Sequence, residues 1–218
     1  MSCRHFFAVR AVLLLLMTTA ARANEWISPD GKVAFQELSA SRFVKDPNAP
    51  APLLVHWVAN DGITAVGVAQ VASPVDAPLE QAGLEKGTLS QFPRGRIVSS
   101  TTASISGVPV YTIVAAGPVG GAERFVAQVI VAFNGQVYKL MMSSPGDPSA
   151  DAELGPMLRS LRIVDPSPRP PAGRPGGASG TQDLSVKFAE WGWLALLAAL
   201  TAFLFRKKRS GGAAPPSN

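Results

Sequence analysis

Cysteine is almost absent from this chain of 218 residues: one, Cys3, stands near its start. Arg4 and Arg10 give a basic opening, residues 11–17 (AVLLLLM) a short apolar core, and Ala21-Arg22-Ala23 a small-x-small site. That pattern predicts a signal peptide over 1–23, removed after Ala23. No cysteine would remain, which excludes a disulfide framework and a Cys-ligated zinc centre. Histidine is nearly as scarce, with His5 and His56 only. A metal site needs three or four donors, and no spaced Asp/Asn cluster resembles a calcium loop. No metal, cofactor-binding or catalytic residue is assigned.

Positive charge is scarce where a nucleic-acid binder would need it. The whole chain carries +5. Residues 24–165 hold ten Lys/Arg against thirteen Asp/Glu, so 10 − 13 = −3. The basic excess falls on the leader, on 166–185 and on the tail, which argues against nucleic acid as a partner.

Long apolar runs are also few, and one dominates. Residues 186–205 read VKFAEWGWLALLAALTAFLF and are followed by RKKR at 206–209. Eighteen residues, 188–205, would cover roughly 27 Å as a helix, about the thickness of a bilayer core. Trp191 and Trp193 at one end and four basic residues at the other match a membrane-spanning pattern with a cytoplasmic tail. The expected layout is a signal peptide at 1–23, an exported domain at 24–165 and a Pro/Gly-rich linker at 166–185. A transmembrane helix at 186–205 and a basic tail at 206–218 follow. The expected location is a bacterial inner membrane, with the domain periplasmic or extracellular. Membrane lipid would be a partner. Ala195, Ala198, Ala199 and Ala202 would permit a homo-oligomer through the span. Gly176-Gly177 before the span and its basic cluster are weakly similar to bacterial sorting tails. A plain anchor is the preferred reading.

Within 24–165 the turns are clear. Trp26-Ile27 precedes Ser28-Pro29-Asp30-Gly31, and residues 53–59 (LLVHWVA) and 63–71 (ITAVGVAQV) flank Asn60-Asp61-Gly62. A helix is expected within 73–91, with Leu79, Ala82 and Leu84 facing inward. Residues 97–105, rich in Ser and Thr, return through Gly107 to 108–115. A glycine-rich loop is expected near 117–121 (GPVGG), which lacks any phosphate-loop spacing. Residues 125–133 (FVAQVIVAF) and 136–142 (QVYKLMM) flank Asn134-Gly135, the preferred type I′ pair. On the last strand Lys139 is the one polar mark of a water-facing side. Asp147-Pro148 opens a helical region whose inward residues are Leu154, Met157, Leu158 and Leu161. Strands, a helix, hairpins and a closing helix imply an α/β fold of the α+β kind, an antiparallel sheet with packed helices.

The block 107–164 resembles the α/β domain of the PsbP, Mog1 and DcrB families. The residues that carry the likeness are the Ser106-Gly107 turn and a strand ending in Tyr111. The hairpin Asn134-Gly135-Gln136-Val137-Tyr138 and the final Leu158-Arg159-Ser160-Leu161-Arg162 continue it. The resemblance implies a binding, assembly or envelope protein rather than an enzyme.

No serine sits in a Gly-x-Ser-x-Gly elbow. A Ser-His-acid set can be drawn only from His56, Asp61 and a serine such as Ser106. Asp151 and Glu153 suit a helix start, and Arg94-Gly95-Arg96 is a small basic patch. The main expectation is a membrane-anchored envelope protein whose exported domain binds or helps assemble another protein. The alternative is a membrane-tethered hydrolase or small-ligand-binding domain using His56 and nearby carboxylates.

Overall fold

The computed structural model describes residues 24–73, 79–90, 92 and 94–165. Ten strands and two helices follow in order. They are β1 (Glu25–Ile27), β2 (Val33–Gln36), β3 (Phe43–Lys45), β4 (Leu53–Ala59), β5 (Ala65–Ala72), α1 (Gln81–Ser90), β6 (Arg96–Ile105), β7 (Val108–Val119), β8 (Ala122–Phe133) and β9 (Gln136–Ser144). A 3₁₀ turn (Pro148–Ala150), α2 (Leu154–Arg159) and β10 (Arg162–Ile163) close the domain.

Seven strands form one sheet in the order β3-β4-β5-β9-β8-β7-β6, and every pairing is antiparallel. Local turn chemistry sets its hairpins. Asn134 and Gly135 have φ of 53° and 71°, and Ser106 and Gly107 have 52° and 80°. Both pairs take the left-handed conformation a type I′ turn demands. Residues 117–119, read from sequence as loop, extend β7, and only Gly120-Gly121 turns.

Both faces of this sheet are covered. On one face β1, β2 and β10 form a small second sheet, and α2 lies beside it. Trp26, Phe35, Leu154, Met157 and Leu161 meet Trp57, Val68, Val129 and Leu140 there in one apolar cluster. On the other face Leu79 and Leu84 pack with Tyr111, Ile113 and Ile130. Phe92 covers Ala65, Ala69 and Met141 beside them. Burial on two sides explains why β8 reads as a nearly continuous apolar run rather than an alternating one.

Two details depart from the sequence reading. In α1 the buried residues are Gly83, Leu84, Gly87 and Thr88, while Ala82 is exposed. Small residues let this helix lie close to β6 and β7. Lys139 was expected to face water, yet it is buried at 3% exposure in the centre of the sheet. Its ammonium is pushed down to about pKa 7 by burial.

The larger correction concerns the membrane. Among the described residues no helix is long and apolar enough to cross a bilayer. A span needs about 20 residues, whereas α1 has ten and α2 six. The antiparallel sheet with packed helices therefore stands without the transmembrane element. The inner-membrane location, the lipid contact and the homo-oligomer through the span lose their support with it. The expected signal peptide (1–23), linker (166–185), span (186–205) and tail (206–218) lie outside the described residues.

Candidate functional site

The alternation of β4 puts His56 and Trp57 on opposite faces of the sheet. His56 faces the side of Gly67, its cross-strand neighbour on β5. Its side chain is fully enclosed, and Nδ1 lies 3.7 Å from Asp46 Oδ2. That separation is an ion-pair distance too long for a hydrogen bond, and among the described residues neither ring nitrogen has a hydrogen-bond partner. Burial lowers the imidazole pKa below its ordinary value, with the Asp46 charge opposing. The ring is therefore neutral at pH 7. A histidine sealed from solvent cannot pass a proton to a bound substrate.

The other residues of the imagined catalytic set are elsewhere and occupied. Asp61 accepts hydrogen bonds from the Ile63 and Thr64 amides and from the Thr64 hydroxyl, closing the β4–β5 turn. Those bonds hold its carboxyl below the usual range against the opposing effect of burial. Ser106 is a turn residue at the tip of β6–β7. Arg96 pairs with Glu123 at 2.8 Å on an exposed surface. Among the described residues no group of three His, Cys, Asp or Glu side chains could hold a metal ion.

The Trp57 face carries a cleft. A cleft of about 450 Å³ opens between the β2–β3 connection, β3 and the start of α2. Phe43, Leu38 and Trp57 supply its apolar wall, and Glu37, Lys45 and Glu153 bring charge to it. Trp57 is braced from within, edge-on to Trp26 with ring centroids 6.3 Å apart. Lys45 reaches over the Trp57 ring, 5.9 Å from its centroid, and its Nζ is 3.7 Å from Glu37. Glu153 accepts from the Ser39 amide at 3.4 Å. These contacts are long, and the groups making them stand at the surface, so a ligand can exchange for them at little cost.

One wall is held by a strong contact. Arg42 donates two parallel hydrogen bonds to Asp151, at 2.8 and 2.7 Å. Asp151 Oδ1 also accepts from the backbone amides of Glu153 and Leu154 at the start of α2. The Arg42 hydrogen bonds, helped by these amides, hold the Asp151 carboxyl well below its ordinary pKa. Asp151 thus ties the β2–β3 connection to the helix that carries Glu153. Asp151→Asn should cost about 1 kcal/mol at pH 7, the low end for a charge-assisted pair because both partners are partly exposed. A depressed folded pKa stabilises above the unfolded value of 3.8 and is lost as pH falls. Urea titrations should therefore show the gap between wild type and variant shrinking from pH 5 toward pH 2. A gap that stays constant over that range would contradict this role.

Neither the Arg42–Asp151 clamp nor the cleft was visible as a motif. Their residues are separated by 109 positions in sequence. The usable hint was weak: Phe43 and Lys45 share one face of a short strand that pairs with the Trp57 strand.

Comparison with known proteins follows from this geometry. No protein-family model matches the chain, and no curated protein matches it. Solved structures do. The cyanobacterial PsbP protein CyanoP from Synechocystis sp. PCC 6803 aligns over 66% of this chain and 95% of its own, with a TM-score of 0.52 and 12% identity. A protein from Bacteroides thetaiotaomicron aligns over 66% of this chain and 50% of its own, at a TM-score of 0.44 and 10% identity. LpqN from Mycobacterium tuberculosis, described as involved in cell envelope biogenesis, aligns over 65% and 83%, at 0.34 and 14%. The chain thus has the PsbP-like α/β fold that residues 107–164 suggested. Identity this low establishes fold and leaves function to the site.

Proposed function

We propose that residues 24–165 are a small-ligand-binding domain whose site is the cleft on the Trp57 face. The observation that carries this reading is the cleft's make-up, a braced aromatic and aliphatic wall with a few polar groups converging on it. Its volume lies in the range that takes metabolite-sized molecules. The ligand that fits is a small amphiphile. Its apolar part would lie against Phe43 and Leu38, and its polar part would exchange with the Lys45–Glu37 contact. Of the sequence alternatives, ligand binding is favoured over hydrolysis because His56 faces away from this cleft and is sealed. The carboxylates that matter are Glu37 and Glu153, not Asp46.

The test is a fragment screen by protein-observed NMR on the full chain, using aromatic amines and aromatic carboxylates. Amide shifts should cluster at residues 36–45, at Trp57 and at Glu153. Binding that maps to the His56 face, or no fragment binding at all, would overturn the proposal.

A further inference from the structure

The two edges of the large sheet are built differently. The β3 edge is three residues long and ends in Lys45, a short and charged edge of the kind that discourages pairing. The β6 edge is ten residues long. From Ile97 to Ile105 it reads IVSSTTASI, with no charge and no proline. Its residues are mostly exposed, and among the described residues the sheet order ends there.

The free hydrogen-bonding groups can be placed from register. Ile105 and Val108 flank the two-residue Ser106-Gly107 turn and so form a hydrogen-bonded pair. Ala103, Thr101 and Ser99 continue that alternation toward β7. Ser100, Thr102 and Ser104 therefore direct their amides and carbonyls outward. A bulge at Ile97–Ser99 ends the regular stretch, leaving 99–105 with Thr102 at its midpoint. The Gln81 amide at the head of α1 holds the side chains of Ser100 and Thr102, at 2.8 and 2.9 Å.

We infer that β6 is a self-association edge, pairing antiparallel with β6 of a second copy about a two-fold axis at Thr102. This pairing sets Thr102 against Thr102 of the second copy, and Ser100 against Ser104. Every outward group in 100–104 then meets a complementary one, giving about six hydrogen bonds. On one face hydroxyls meet hydroxyls, a favourable cross-strand combination. On the other, Thr101 meets Ala103 and Ser99 meets Ile105. No like charges oppose each other, because the stretch has none. The contact is isologous, so it closes at two copies and does not propagate into fibres. It is independent of the cleft, which lies beside the opposite edge.

The test uses the full chain with Cys3→Ser, which removes the one native cysteine. Thr102→Cys in that background should form a disulfide-linked dimer under mild oxidation. The paired Cα atoms would lie about 5.5 Å apart, within disulfide range. Val44→Cys, exposed on the β3 edge, is the control and should cross-link more slowly. In a second arm, sedimentation of Thr102→Lys should show fewer dimers than wild type, and mixing it with Thr102→Glu should restore them. Equal cross-linking at the two edges, or a wild-type dimer fraction in Thr102→Lys, would overturn the inference. So would β6 pairing only with a strand from a different protein.

Discussion

Trp57→Ala is expected to lower the unfolding free energy by about 3–5 kcal/mol, the usual cost of emptying a large aromatic position in a core. Trp57 is 2% exposed and belongs to the cluster that joins the two sheets. Two neighbours lose their partner at once: Trp26 its edge-on ring and Lys45 the surface under its ammonium. The loss is a large part of the stability of a typical domain. The same change removes one wall of the cleft. Trp57→Phe keeps an aromatic group in place and should cost less than half as much. Urea denaturation of the three proteins, followed by circular dichroism, measures both. A loss below about 1 kcal/mol for the alanine variant would mean Trp57 is not the brace described.

The second large effect is a pH dependence centred on Lys139. Its folded pKa is about 7, against an ordinary 10.5. Between those values the unfolded chain holds a proton that the folded chain has released. Stability must then rise with pH over this window, with a slope approaching about 1.4 kcal/mol per pH unit. Tyr138 acts in the opposite direction at higher pH. Burial, with its hydrogen bond to Asp30 adding to the effect, raises its phenol pKa. Above the ordinary tyrosine value the unfolded chain loses that proton first, and stability falls. The expected profile climbs from pH 7, peaks near pH 10 and declines beyond. Lys139→Met keeps most of the stem volume and should flatten the climb while leaving the decline. A flat wild-type profile between pH 7 and 9.5 would contradict the burial of this lysine in its neutral form. A climb that survives in Lys139→Met would assign it to another group.

Lys139 also shows where sequence reading stopped. Alternation in residues 136–142 predicts one wet face and one dry face, as holds for a sheet covered on one side. This sheet is covered on both. The signal for that was present in β8, where Gln128 sits alone in FVAQVIVAF and is fully buried. Turns were legible because they depend on two or three adjacent residues: Asn134-Gly135 adopts the positive φ its sequence favours, and Gly107 marks the turn in which Ser106 also takes positive φ. The inward face of α2 was legible for a similar reason, since Leu154, Met157 and Leu158 recur at helical spacing and are buried; Leu161, also buried, falls just past the helix end. The cleft was not, because it is assembled from Asn24, the β2–β3 connection, β4 and Glu153. Nothing local marks residues that meet only after the small sheet folds over the large one. His56 drew attention through its rarity, yet rarity says nothing about solvent access. The membrane reading rested on residues beyond 165, and the described fold contains no element able to take that role.

Recognition belongs to the Trp57 face of β4 and not to its His56 face if the cleft is the binding site. The most direct measurement takes the tightest fragment from the NMR screen and compares its Kd for wild type, Lys45→Gln, Glu153→Gln and His56→Phe. The two cleft variants should weaken binding by about tenfold, equivalent to about 1.4 kcal/mol, while His56→Phe should leave it unchanged. Unchanged affinity in both cleft variants, with binding lost in His56→Phe, would contradict it.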